Sequence, residues 1–243
     1  MSRFFIPGIH AKPGSALEMG GENAFHAIRV LRLVSGDRLI VCDNAGVDYS
    51  CVVKAVGKNA LELTVLERED NAAEPSLQVY LFVSLIKSDK LDYTAQKAVE
   101  LGCCGIYPFQ SRHSVVRAGD GDKAARLAKI AESAAKQSGR GIIPFVSPPL
   151  TFKEAVDKAE ALKPDIMLAA HEKAGTGLKE LLRGRDSIVS AAVFIGPEGG
   201  FSDDETVAFE AAGMRLFSLG RRVLRAETAA IAALACCMYE LGE

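Results

Sequence analysis

The segment Phe194 to Glu205, FIGPEGGFSDDE, limits the possible folds of this chain more than any other stretch. An apolar run breaks into a proline and three glycines, and Ser202 and Glu205 then form an S-x-x-E capping box that opens a helix. A buried strand that passes through a glycine turn into a helix N-terminus is a building unit of α/β sheets. Such turns lie at the carboxyl ends of strands, where open sheets bind ligands. Glycine turns of this kind often cradle phosphate, aided by a lysine or an uncluttered helix start. Here Glu198 would repel phosphate and no G-K-[ST] follows, which excludes a phosphate-binding nucleotide enzyme. The turn calls for a ligand that accepts close backbone contact without being strongly anionic.

The residues around it agree with that architecture. From Leu77 onward, buried strands alternate with helices: LQVYLFVSL, a helix near Asp89 to Leu101 stopped by Gly102, GIYPF, and a long helix near Asp122 to Ser138. DIMLAA, a short helix near Leu178, IVSAAVFIG, a helix after Ser202, MRLFSL and a last helix complete the series. This order predicts an α/β fold with a mostly parallel sheet. Before it, DRLIVCD, VDYSCVVKA and ALELTVL, separated by NAG and GKN turns, predict a small antiparallel β domain. The acidic, proline-containing stretch EREDNAAEPS between them reads as a linker, with the boundary near residue 73. The expected domains are therefore 1–73 and 74–243.

Composition narrows the function classes. A net charge of −2 leaves no global positive field, so any nucleic-acid contact must come from local clusters. Six cysteines without a C-x-x-C fit neither a zinc site nor a disulfide framework, and the four histidines show no ligand spacing, so no metal is expected. MSRFFIPG has only three consecutive apolar residues before its proline, and no long apolar run follows. These features predict a soluble, cytoplasmic protein with neither signal peptide nor membrane span.

A second loop, SLGRRVLRAETA from Ser218 to Ala229, interleaves Arg221, Arg222 and Arg225 with Val223 and Leu224 ahead of the final helix. Alone it reads as a solvated basic loop. Together with the glycine turn it resembles the signature segments of the SPOUT methyltransferases, specifically the RsmE-like 16S ribosomal RNA uridine methyltransferases. RFFIP, HAIRVLRLVSGD, IKSDKLDYTAQKAVELG, SRHSVV and AAKQSGRGIIP agree in order and spacing. Lys136 and Ala226 depart from the residues common there, Glu and Thr. The resemblance implies a small PUA-like β-barrel domain for RNA, a SPOUT domain with a deep trefoil knot, and a homodimer with the cofactor near the subunit interface. The all-round apolar final helix ETAAIAALACCMYEL is consistent with burial inside the fold or against a second subunit.

The implied cofactor is S-adenosylmethionine, which carries no phosphate and has a cationic sulfonium. Its expected site comprises Leu168, Ala169 and Ala170 at the end of DIMLAA, Ile195, Gly196, Pro197, Glu198, Gly199 and Gly200 in the glycine turn, and Leu219, Gly220, Val223, Leu224 and Thr228 in the second loop. The glycines would let backbone approach the ligand, and the apolar side chains would face adenine. Glu198 reads either as a surface carboxylate or as a partner for positive charge, and His171 as a strand-end histidine or part of the first segment.

Methylating N3 of uridine requires an exposed ring that gives up a weakly acidic proton. Arg225 is the expected cation beside the developing anion, because its guanidinium stays charged. Glu227 is the candidate proton acceptor, although a carboxylate at a helix start also has a structural use. The implied partner is 16S ribosomal RNA within the small ribosomal subunit, with contacts expected from Arg3, His26, Arg29, Arg32, Lys87, Arg112, Gln137 and Arg140. Gln110 to Arg140 holds seven Lys and Arg against three acids, and Lys129, Lys136 and Arg140 would share one helical face. The alternatives are ribose 2′-O or tRNA methylation on the same fold, or a ribosome-associated RNA-binding module without catalysis.

Overall fold

The computed structural model describes residues 1–117, 123–185 and 187–242. The chain forms two compact units, one of Met1–Glu74 with Ala135–Ile143, the other of Pro75–Ala134 with Pro144–Glu243.

In the first unit, β1 (Ser2–Phe5), β2 (Ala16–Met19), β3 (Arg38–Cys42), β4 (Val47–Val56) and β5 (Leu61–Asp70) form one sheet in the order β1-β3-β4-β5-β2. The three expected strands pair antiparallel, β3 with β4 and β4 with β5, while β1 runs parallel to β3. Alternation places Leu39, Val41, Tyr49, Cys51, Val53, Leu61 and Leu63 on one face, where they form a core with Phe4 and Met19. A short helix, α1 (Gly21–Phe25), continues into a π turn at His26–Val30 and covers this core with Ala24 and Ala27.

Two arginines expected to touch RNA are instead internal ties of this unit. Arg3 Nη1 donates to Asp48 Oδ1 at 2.6 Å and to Cys42 Sγ at 2.9 Å, and the Arg3 side chain is only 10% exposed. Arg140 is 3% exposed, and its guanidinium donates to Glu74 through Nη2 (2.7 Å) and Nε (3.2 Å). Glu74 also accepts the backbone N–H groups of Gly141 and Ile142. A buried guanidinium has to be paired, and these two have partners distant in sequence that no local pattern predicts.

The second unit is a parallel sheet with helices. Its strands are β6 (Gln78–Ser84), β7 (Gly105–Gln110), β8 (Phe145–Val146), β9 (Leu150–Thr151), β10 (Ile166–Ala170), β11 (Ser190–Ile195) and β12 (Arg215–Phe217). The order is β12-β10-β11-β6-β7-β8, with β9 also on β7, and every pair is parallel. The expected α/β class with a mostly parallel sheet is thus observed. The helices are α2 (Ser88–Glu100), α3 (Lys123–Ser138, whose residues from Ala135 on belong to the first unit), α4 (Phe152–Leu162), α5 (Leu178–Leu182), α6 (Asp203–Ala211) and α7 (Ala226–Leu241). The start expected near Asp122 lies outside the described residues, and α3 ends before Arg140, so Arg140 does not share a helical face with Lys129 and Lys136.

Both faces of this sheet are covered, so its strands are apolar throughout rather than alternating. Phe82 stacks on Phe194 with ring centroids 4.4 Å apart, and Phe109, Phe201 and Phe209 extend the layer. The sequence reading missed α4, although its start is local: Thr151 accepts the N–H of Glu154, whose carboxylate accepts the Thr151 N–H in return. The last helix packs on α2 and α5 and buries Ala230, Ala233, Leu234 and Cys237. Among the described residues, no helix is long and apolar enough to cross a membrane.

Candidate functional site

Three neighbouring strands, β12, β10 and β11, end at one edge of the parallel sheet, and the loops that follow them enclose a cleft of about 220 Å³. The glycine turn after β11 is built as its sequence demands. Gly200 donates its N–H to the Pro197 carbonyl at 3.0 Å and sits at φ +69°, a conformation that favours glycine. Ser202 and Glu205 close the expected capping box. Glu205 is 5% exposed, and its second oxygen accepts the Arg112 N–H at 2.9 Å, fastening the turn to the loop after β7.

Two of the glycines are needed for a reason other than ligand approach. A Cβ on Gly196 would lie 3.2 Å from the Phe201 ring, and one on Gly199 would lie 3.0 Å from the His113 Cβ. Nδ1 of His113 is in turn 3.2 Å from the Gly200 carbonyl oxygen. The turn is therefore packed tightly against protein on one side, and the other side is left to the cleft.

The loop after β12 starts with a side-chain turn in which Ser218 Oγ accepts the Gly220 N–H at 3.1 Å. Gly220, at φ +108°, redirects the chain so that Leu219, Val223 and Leu224 line the cleft before α7 begins. The third wall follows β10. There His171 donates its N–H to the Phe217 carbonyl at 2.8 Å, and the Glu172 carboxylate comes close to Gly200.

Of the residues expected to hold a cofactor, Ala170, Ile195, Gly196, Pro197, Glu198, Gly199, Gly200, Leu219, Gly220, Val223 and Leu224 line this cleft. Leu168 and Ala169 do not. They lie fully buried within β10, and Ala169 packs into the aromatic layer, because only the strand's last residue reaches the edge. Thr228 is exposed on the first turn of α7 and is not among the lining residues. Sequence reasoning missed Glu172, Phe201, Phe217, Ser218, Arg222, Ala226 and Ala229 as lining residues, and left His171 open. The nearness of Phe201 to the glycines was the one readable signal. The cleft's character is apolar with two carboxylates, Glu172 and Glu198, and one arginine, Arg222.

Arg225 and Lys87 lie elsewhere. Both line a second cleft of about 250 Å³ with Ile86, Lys90, Val115, Val116 and Glu198. Glu198 borders both clefts. Beside it, Lys90 Nζ stands 3.5 Å from Glu198 Oε1 and 3.4 Å from Glu227 Oε1. Glu227 Oε2 is buried without a hydrogen-bond partner among the described residues. Lys90 carried no signal in the sequence beyond its charge.

Among the remaining expected RNA contacts, Arg112 and Gln137 are exposed, as are His26, Arg29 and Arg32 in the first unit. Arg29 borders a surface hollow with Phe25, Ile28 and Lys58, and Arg32 has φ +55°. No group of three or more His, Cys, Asp or Glu suited to a metal occurs among the described residues.

Residues 73–238 match the RNA methyltransferase domain family, and residues 20–66 match an RNA methyltransferase PUA domain. The chain is 30% identical to the ribosomal RNA small subunit methyltransferase E of Bacillus subtilis, over 99% of this chain and 97% of that one. It is 31% identical to the protein of the same name from Mycobacterium bovis, over 91% and 85%. A crystal structure of ribosomal RNA small subunit methyltransferase E from Neisseria gonorrhoeae bound to S-adenosyl methionine superposes with a TM-score of 0.88 at 30% identity, covering 100% of this chain and 98% of that one. The chain belongs to the RNA methyltransferase family that includes these small subunit enzymes.

Proposed function

We propose that this protein methylates N3 of a uridine in the 16S ribosomal RNA of the small subunit, using S-adenosylmethionine. One observation carries the reading: loops after three adjacent strands enclose a largely apolar cleft whose described lining sets two carboxylates, Glu172 and Glu198, against one cation, Arg222. Such a cleft suits a nucleoside joined to a cation and disfavours a polyphosphate. S-adenosylmethionine fits this chemistry, and when bound it supplies an electrophilic methyl group on positively charged sulfur.

The residues divide the work. Leu219, Val223 and Leu224 offer apolar surface to the adenine, and Glu198 and Glu172 offset the positive charge. Arg225, one cleft away but sharing the Glu198 wall, stabilises negative charge as it grows on the uracil carbonyl oxygens. Glu227, tied through Lys90 to the Glu198 wall, accepts the N3 proton. With the methyl donor held by the first cleft, the N3–H proton would pass to this carboxylate and the freed nitrogen would take up the methyl group. Because a paired uridine hides N3, the target must be unpaired or extruded when it reacts.

In this reading, residues 1–73 form a PUA-like RNA-binding domain and residues 74–243 the SPOUT methyltransferase domain with its trefoil knot. The enzyme is a cytoplasmic homodimer. Tyr239, 87% exposed, and the exposed Cys236 on the alanine-rich α7 support association through that helix. The test supplies purified protein with labelled S-adenosylmethionine and small ribosomal subunits, then maps the modified nucleotide by mass spectrometry. Label on N3 of one 16S uridine is the expected result, and label on a ribose or on tRNA alone overturns the substrate assignment.

A further inference from the structure

The second cleft has chemistry that the donor site does not need. Its floor is Ile86, buried at 1% exposure, and Val115 stands on its lip at 82% exposure. Three cations, Lys87, Lys90 and Arg225, share this small space with the apolar residues. Ile86, Val115 and Val116 give the cleft an apolar surface beside three cations, which suits a partner that is flat, apolar on its faces and anionic at its edge.

The ion pairs point the same way. Charge-assisted N–H···O bonds close to about 2.7–2.9 Å, yet Lys90 stands 3.4–3.5 Å from both Glu198 and Glu227. One ammonium is shared by two carboxylates and is tightly bound to neither. Glu198 links the cleft to the donor site, and Lys90 joins it to Glu227, whose Oε2 is buried with no hydrogen-bond partner among the described residues.

We propose that this second cleft seats the acceptor pyrimidine nucleotide of the RNA, and that Lys90 is a positioning residue holding Glu198 and Glu227 at the wall between donor and acceptor. The inference rests on the methyltransferase reading above and assigns its acceptor subsite. The base lies on Ile86 and against Val115 and Val116, and the phosphate is met by Lys87. Lys90 holds the Glu227 carboxylate next to Glu198, which borders the cleft.

The first test needs no cofactor: full-length protein is cross-linked by ultraviolet light to a single-stranded RNA oligonucleotide bearing one 4-thiouridine, and the adduct is mapped by mass spectrometry. Cross-links on residues 86–90 or 115–116 are expected, and cross-links confined to other segments overturn the proposal. The second test compares Val115→Glu, Lys90→Met and Lys90→Arg. Val115 is exposed, so V115E should fold and raise the RNA KM by about tenfold while leaving S-adenosylmethionine affinity within about twofold. K90M should lower kcat by about tenfold or more at an unchanged melting temperature, with K90R recovering most of it. Unchanged RNA KM in V115E, or equal losses in K90M and K90R, sinks the assignment. A wild-type protein that cross-links through this cleft but binds no S-adenosylmethionine would instead refute the methyltransferase reading.

Discussion

Replacing Glu205 by alanine tests how the glycine turn is held. The carboxylate is 5% exposed and accepts three hydrogen bonds: from the Ser202 N–H at 2.9 Å, the Ser202 hydroxyl at 3.0 Å and the Arg112 N–H at 2.9 Å. Truncation strands two backbone donors, Ser202 and Arg112, and dismantles the capping box. Hydrogen bonds to a charged group contribute about 1.5–3 kcal/mol each, but water admitted by the smaller side chain offsets part of the loss. A net cost of about 2–4 kcal/mol is expected, and in a chain of this size each kcal/mol lowers Tm by about 2–4 °C. Thermal melting followed by circular dichroism should show the drop. Glu205→Gln is the sharper control, because both carboxylate oxygens accept from N–H groups and an amide must turn its own NH2 toward one of them. E205Q should therefore recover no more than about half the loss. A cost below about 0.5 kcal/mol for E205A would mean that the turn is not anchored in this way.

Gly220→Ala should weaken S-adenosylmethionine binding by about tenfold or more, since φ +108° costs an L-residue about 1–3 kcal/mol although nothing lies within 4 Å of the new Cβ; titration calorimetry reads this directly. Arg140→Met should destabilise the protein by about 3 kcal/mol or more by leaving Glu74 without its cation, while RNA affinity measured on the folded fraction stays unchanged; a selective loss of RNA affinity would restore Arg140 as an RNA contact. In native protein at pH 8, Cys42, Cys51 and Cys237 should stay protected from iodoacetamide, their thiols pushed up by burial to about 12, 11 and 12. Because those folded-state values lie above the ordinary 9.0, the stability they contribute is complete below that pH and is lost as pH rises through 11 to 12; chemical denaturation between pH 8 and 11 checks the sign.

The parts of this molecule that could be read from sequence are those fixed by local chemistry. The glycine turn, its capping box and the following helix lie within a dozen residues, and the structure has them as expected. The last helix is visible in ETAAIAALACCMYEL because an uninterrupted apolar and alanine-rich run leaves few alternatives. Arg3 and Arg140 illustrate the opposite case. Their partners are 45 and 66 residues away, and an arginine looks the same in sequence whether it is solvated or paired in a core. The resemblance of LAAHE, Leu168 to Glu172, to the family's first cofactor segment puts Leu168 and Ala169 in the site, yet strands of a parallel sheet are apolar on both faces and, within β10, only Ala170 reaches the cleft. Lys90 gains its meaning from Glu198 and Glu227, both more than 100 residues further along, so only the folded chain brings the three together. The missed α4 is different, since T-F-K-E carried a readable cap.

Isothermal titration of the pure, folded protein with S-adenosylmethionine tests most directly whether the loops after β10, β11 and β12 make a methyl-donor site. Saturable binding of one equivalent per chain, weakened in G220A and unaffected in V115E, is the predicted outcome. Absence of any saturable heat, with or without ribosomal RNA present, would contradict it.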